Sequence, residues 1–192
     1  MQTNTPPQNS VTADSLASSA RSASKKGAPP VHLWNPPFCG DLDMEIKADG
    51  TWFYLGTPIG RMPLVKLFGS ILKLEDGQYF LVTPVEKVGI RVEDAPFIAI
   101  DFDRNAEGDL CFTTNLGDEV IAGPDNAIRV QFNGDEPRPY LHIRRGLEAR
   151  IDRKSFYRLI DIAEVEAIDG EDWIGLRSRG VFFPIALRED LG

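Results

Sequence analysis

Two stretches of this chain repeat one order of signals, and that repetition limits the fold more than any other feature. In the first, Leu64, Leu67, Phe68, Ile71 and Leu72 fall at i, i+3, i+4, i+7 and i+8. In the second, Phe156, Leu159, Ile160 and Ala163 repeat the stripe. Such spacing gathers apolar side chains on one side of a helix, which must then lay that side on a sheet. Pro63 suits the first turn of the first helix, and Asp152 is a good N-cap for the second. The likeness goes further than the stripe. Arg61 and Arg153 each open a helix, with apolar residues at +3, +4, +6 and +7 and a basic residue at +5. Ile59 and Ile151 precede them by two positions. An Asp-Gly turn follows each helix, Asp76-Gly77 and Asp169-Gly170, offset by one residue, and then an aromatic strand, Tyr79-Phe80-Leu81 or Trp173 to Leu176. The pattern predicts an internal duplication of a strand–helix–strand-turn unit.

Turn signals punctuate the rest of the chain. Asp49-Gly50, Asp76-Gly77, Asn133-Gly134 and Asp169-Gly170 adopt positive φ at little cost, and each sits between apolar or alternating segments. Strands are expected at 44–47, 52–55, 79–83, 89–92, 97–103, 110–114, 119–121, 128–132, 140–143, 147–151, 173–176 and 181–185. Before residue 31 apolar side chains are scarce and keep no sustained period, so burial cannot offset the entropy of ordering. The expected organisation is a disordered Ser/Ala/Pro-rich tail over 1–30, in which Ala13 to Ala23 could form a short helix. An N-terminal repeat domain over 31–96 and a C-terminal repeat domain over 97–192 follow, the latter mostly β before its helix. The fold class is α+β, two small sheet-plus-helix domains.

Acidic side chains outnumber basic ones, 29 to 21, for a net charge of −8. Phosphate backbones select basic surfaces, so this balance argues against nonspecific nucleic-acid binding, and equally against anionic membrane surfaces. No apolar run reaches the ~18 residues of a membrane-spanning helix, and no apolar stretch of signal-peptide type lies near Lys25 and Lys26. Cys39 and Cys111 make no disulfide framework and lack metal-ligand spacing, which fits a reducing compartment. The expected location is cytoplasmic.

Longer motifs add a resemblance. Asp49-Gly50-x-Trp52-x-Tyr54-x-Gly56-x-Pro58-Ile59-x-Arg61 leads into Leu64-Val65-x-Leu67-Phe68-x-x-Ile71-Leu72. Tyr79-x-Leu81-Val82-Thr83-Pro84-Val85-Glu86-Lys87, Val92-Glu93-Asp94-Ala95-Pro96-Phe97 and Tyr140-Leu141-x-Ile143-Arg144-x-x-Leu147-Glu148-Ala149 come after it. From about Trp34 to its C-terminus the chain resembles the proteobacterial family called domain of unknown function 1285. The resemblance implies a two-domain α+β structure with duplicated architecture and a C-terminal half loosely like a pleckstrin-homology fold. It implies no established activity, and suggests a signalling or binding role at a site between the domains.

Several clusters invite a chemical reading. Asp41, Asp43 and Glu45 share one face of a strand, and clustered oxygens suit a hard cation, but their spacing matches no metal motif and a water-facing acidic strand explains them. Asp101, Asp103, Asn105 and Gly108 resemble a calcium loop, yet Ala106 and Phe112 stand where that loop needs Gly and a bidentate Glu; a hairpin connection is the better reading. His32 and His142 are the two histidines, and no motif sets either beside a nucleophile. Gly56 to Gly60 contains Pro58 and lacks the lysine of a phosphate loop. No catalytic residue, metal or cofactor is assigned.

The charged segments around Pro84 and Pro96 carry the stronger expectation, because they lie near the join of the repeats and clefts between domains bind ligands. Arg61, Glu86, Lys87, Asp94, Tyr140 and Arg144 are the candidate ligand-binding residues. Lys87 and Arg144 would take an anionic group, and Tyr140 would stack or donate a hydrogen bond. The expected function is a noncatalytic binding module in signal transduction, with a small anionic ligand or a protein partner docked between the two domains. The rival readings are a small enzyme using Glu86, Glu93 and Asp94 in acid–base chemistry, an assembly subunit, and charges that merely pair with one another.

Overall fold

The computed structural model describes residues 10–24 and 27–191. The chain divides into two compact units, one of residues 1–46 and 51–92, the other of 47–50 and 93–192.

The first unit contains α1 (Ala13–Ala23), β1 (Phe38–Ile46), β2 (Trp52–Tyr54), β3 (Thr57–Pro58), α2 (Met62–Ser70), β4 (Leu72–Glu75), β5 (Gln78–Val82) and β6 (Lys87–Val92). Its six strands form one sheet in the order β3-β2-β1-β6-β5-β4, antiparallel except for the central β1–β6 pair. Strand β1 alternates between core and solvent. Leu42, Met44 and Ile46 are buried, and the intervening Asp41, Asp43 and Glu45 face outward. Arg91 of β6 takes Asp43 at 2.8 Å and reaches Glu45 at 3.8 Å, so two of these three carboxylates share one guanidinium. Among the described residues no group of three metal-ligating side chains converges.

Helix α2 presents Val65, Phe68 and Gly69 to the core, followed by Ile71 and Leu72. Phe68 stacks on the buried Trp52 with ring centroids 6.3 Å apart. Leu64 and Leu67, expected on the buried stripe, are only half-buried. The burying face is thus turned by one position, and α1 packs against the same helix. Residues 13–23, expected within a disordered tail, form that helix. Ala13, Leu16, Ala17 and Ala20 are buried at i, i+3, i+4 and i+7, a helical period written mostly in alanine, whose small side chains let two helices approach closely. Thr12 and Ser15 close a capping box at its start. Residues 1–9, 25 and 26 of the expected tail lie outside the described residues.

The second unit contains β7 (Phe97–Arg104), β8 (Leu110–Thr114), β9 (Glu119–Ile121), β10 (Ile128–Asn133), β11 (Glu136–Arg144), β12 (Leu147–Ile151), α3 (Arg153–Asp161), β13 (Glu164–Ile168), β14 (Glu171–Ser178) and β15 (Val181–Leu187). Its six-stranded sheet runs β9-β8-β7-β12-β11-β10, and β13-β14-β15 form a separate antiparallel sheet. Helix α3 starts on Asp152, whose side chain accepts from the Ser155 amide at 2.8 Å, and buries Phe156 and Leu159 against β7. In the β7–β8 connection Asn105 accepts from the Glu107 and Asp109 amides at 3.0 and 2.8 Å, the hairpin expected in place of a calcium loop.

The fold is α+β, and the helix–hairpin unit recurs as α2-β4-β5 and α3-β13-β14. Each hairpin turns on two residues of positive φ, Asp76 (49°) with Gly77 (77°), and Asp169 (53°) with Gly170 (87°). The sheets show a larger repetition that helix matching does not. Numbered from its own first strand, each six-stranded sheet has the order 3-2-1-6-5-4, two three-stranded meanders joined through a parallel central pair. Helix α2 lies between the meanders of the first sheet, whereas α3 follows the second sheet and leads into the extra three strands.

The β2–β3 turn holds Leu55 at φ 51° with its side chain 64% exposed. A leucine there bears a left-handed penalty of about 1 kcal/mol and gains little burial. Leu55→Asn should therefore raise the unfolding free energy by about 0.5–1 kcal/mol, read as a higher urea midpoint at unchanged slope.

Candidate functional site

The second unit carries a connected polar cluster, and strand register builds it. Arg129 of β10 pairs with Tyr140 of β11, and Tyr140 pairs with Arg150 of β12, so three long side chains stand in one row across the sheet. Asp94, from the segment before β7, completes the row. Tyr140 Oη donates to Asp94 Oδ1 at 2.6 Å, and Arg150 Nη1 donates to Asp94 Oδ2 at 3.0 Å. The Arg129 guanidinium lies 4.3 Å from the Tyr140 ring centroid and forks onto Glu148, its Nε and Nη2 donating at 2.7 and 2.6 Å.

Electrostatics shift two members of the cluster. Burial above all, and then the Asp94 carboxylate, push the Tyr140 phenol above its ordinary range, so it stays a donor. The Glu148 carboxylate likewise raises Arg129 further.

Beside this row a cleft of about 70 Å³ opens between β11, β12 and the first turns of α3, lined by Glu136, Pro137, Arg150, Arg153, Phe156 and Tyr157 among others. Arg150 belongs to both the row and the cleft. Arg153 is 76% exposed and only 3.9 Å from Glu136, a loose and solvated pair.

The six residues singled out in the sequence divide between the two units. Asp94 and Tyr140 are brought into direct contact. Arg144 lies in the same unit but pairs with Asp118 at 3.4 Å and covers the Phe97 ring at 5.0 Å. Arg61, Glu86 and Lys87 belong to the first unit. Arg61 is exposed at the N-cap of α2. Lys87 is bound to Glu75 and lies 4.4 Å over the Phe80 ring. Lys73 and Lys87 together hold the Glu75 carboxyl below the usual carboxylate range. Glu86 Oε2 is buried without a hydrogen-bond partner, and Glu93 accepts from the Ala48 amide at 2.7 Å. Arg129, Glu148, Arg150 and Arg153 escaped sequence reasoning as site residues. His142 is a structural tie: Gly146 N–H donates to its Nε2 at 2.9 Å, so its Nδ1 carries the proton that meets Asp125 O at 2.8 Å.

Comparison with known families agrees with this two-part architecture. The model described as domain of unknown function (DUF1285), N-terminal domain, matches residues 29–95, and that described as protein of unknown function (DUF1285), C-terminal domain, matches residues 96–185. The chain belongs to the DUF1285 family. A DUF1285 protein of known crystal structure, from Silicibacter pomeroyi, is 56% identical with a TM-score of 0.82, over 92% of this chain and 97% of that one. A second, from Shewanella baltica, is 35% identical with a TM-score of 0.52, over 62% of this chain and 91% of that one. No curated protein matches. Helix α1 precedes the segment matched by the DUF1285 models. Among the described residues of this DUF1285 protein no helix is long and apolar enough to cross a membrane.

Proposed function

We propose that this DUF1285 protein is a noncatalytic binding module, of the kind used in signal transduction, and that it holds a small anionic group in the cleft beside Arg150 and Arg153. The observation that supports this most is the double role of Arg150. Asp94 fixes one end of its guanidinium, and the same side chain lines the cleft. An arginine held in place loses less entropy when it engages a carboxylate or phosphate. Arg153 adds a second cation whose bond to Glu136 is weak enough to be exchanged. Phe156 and Tyr157 offer apolar and aromatic walls. The cleft is far below the several hundred Å³ that enclose a whole ligand, so it suits one anionic group of a ligand that otherwise remains outside. Both oxygens of Asp94 already accept hydrogen bonds, which favours a supporting role over that of a general base.

Titration with inorganic phosphate and with acetate, followed by backbone NMR, tests the reading. Shifts should appear at Arg150, Arg153 and Tyr157, with millimolar affinity. Arg153→Glu, on an exposed side chain, should weaken binding at least ~10-fold while leaving the melting temperature within about 2 °C. Unmoved amides at these three positions in roughly 50 mM of both anions, or equal binding by the variant, would remove the proposal.

A further inference from the structure

Beyond the cleft, we infer that β13 is a docking edge for an extended, basic segment of a partner protein, which adds to the three-stranded sheet as a fourth strand.

The argument starts from hydrogen bonds. Strand β13 is the outer strand of its sheet and pairs only with β14. The Asp169-Gly170 turn has two residues, so the flanking Ile168 and Glu171 form a hydrogen-bonded pair. Alternation then makes Glu166–Trp173 and Glu164–Gly175 hydrogen-bonded pairs as well. The N–H and C=O groups of Val165 and Ala167 therefore point away from β14, toward the open edge. Both residues are exposed, Val165 at 50%. Exposed edge strands of this kind are templates for strand addition.

The other described edges are less available. Strand β3 has two residues, one of them Pro58, and β9 has three. Strand β4 is approached by the turn Val31–Leu33, and its Lys73 donates to Trp34 O at 3.2 Å. Strands β10 and β15 pack on each other. Among the described residues β13 is the edge that combines five residues, none of them buried, with an exposed apolar side chain.

Charge selects the occupant. Residues 161–172 contain six acidic side chains and no basic one. On β13 itself Glu164 and Glu166 share Arg177, the former at 3.6 Å. A second copy pairing antiparallel through this strand would bring glutamates beside glutamates, which is repulsive. A strand with Lys or Arg at alternate positions would instead set cations beside them, with its remaining side chains meeting Val165 and Ala167.

The test uses the full chain and a fluorescein-labelled Lys-Val-Lys-Val-Lys-Val peptide. Its controls are a Glu-for-Lys version and a version N-methylated at alternate residues. Fluorescence anisotropy should show saturable binding of the basic probe, at least ~10-fold weaker for both controls. The Val165 and Ala167 amides should become protected from hydrogen exchange in the complex. Glu164→Lys combined with Glu166→Lys should abolish binding, with the thermal melt confirming a folded chain. Four outcomes would overturn the inference: no binding, equal binding of the N-methylated probe, binding without protection of those two amides, or concentration-dependent pairing of the protein with itself through β13.

Discussion

Leu159→Ala will lower the unfolding free energy by about 2–5 kcal/mol, the range for emptying a leucine site that cannot collapse. Leu159 is 0% exposed, on the face of α3 that meets the six-stranded sheet of its unit. Its neighbour Ile160 belongs to the same sequence stripe but is 37% exposed. Ile160→Ala should cost under about 1 kcal/mol. Urea denaturation of both variants checks the pair. Similar losses at the two positions would mean that α3 does not lie on the sheet through Leu159.

Ser178→Ala should cost about 2–4 kcal/mol, a large effect for the loss of one oxygen atom. Ser178 is 2% exposed. Its Oγ accepts from the Leu110 amide at 2.9 Å and donates to Ala122 O at 2.7 Å. Both partners are backbone groups beside β8, so the hydroxyl joins the β14–β15 hairpin to the larger sheet of its unit. Alanine leaves a buried N–H and a buried C=O without a partner, each costing about 1–3 kcal/mol. Hydrogen exchange at the Leu110 amide should rise in the variant even where the rest of the unit stays protected. An unchanged Leu110 exchange rate would show that the hydroxyl is not the tie.

These two sites also show what the sequence reveals. Leu159 was legible because an amphipathic period survives any tertiary arrangement. Strands β8, β9 and β12 were legible to the residue, since alternation and turn chemistry act locally. Strand β4 was missed because Leu72 also closes a helical stripe, so one apolar residue satisfied two periods. Strand β13 was missed because its two glutamates alternate with short apolar residues and none of its five positions is buried, so neither face reads as a core face. Helix α1 was underrated because alanine adds little to a hydrophobic count yet packs closely.

The candidate site was legible only in part, and the reason is one bulge. The turn Arg145-Gly146 joins β11 to β12, and counting outward from it in an unbroken ladder would set Tyr140 opposite Ile151. A register shift between His142 and Arg144 moves the pairing by one, and Arg150 arrives beside Tyr140 instead. Turn chemistry signals a hairpin but not an extra residue within it. The bulge therefore decides that a cation, rather than an isoleucine, meets Asp94. Likewise Arg129 and Glu148 become partners through two successive strand pairings that local patterns do not encode.

The strand order common to both six-stranded sheets has a kinetic corollary. Each three-stranded meander joins neighbours in the chain and can form from short loops. The parallel seams, Asp41 with Gly89 and Ala149 with Phe97, each close about fifty residues of chain. Half-sheets should therefore assemble early and the seams late, giving each unit one slow, cooperative closure. Before that step the outer edges of β1, β6, β7 and β12 are bare, so the interval in which this protein is most prone to aggregate is set by how fast its two seams close.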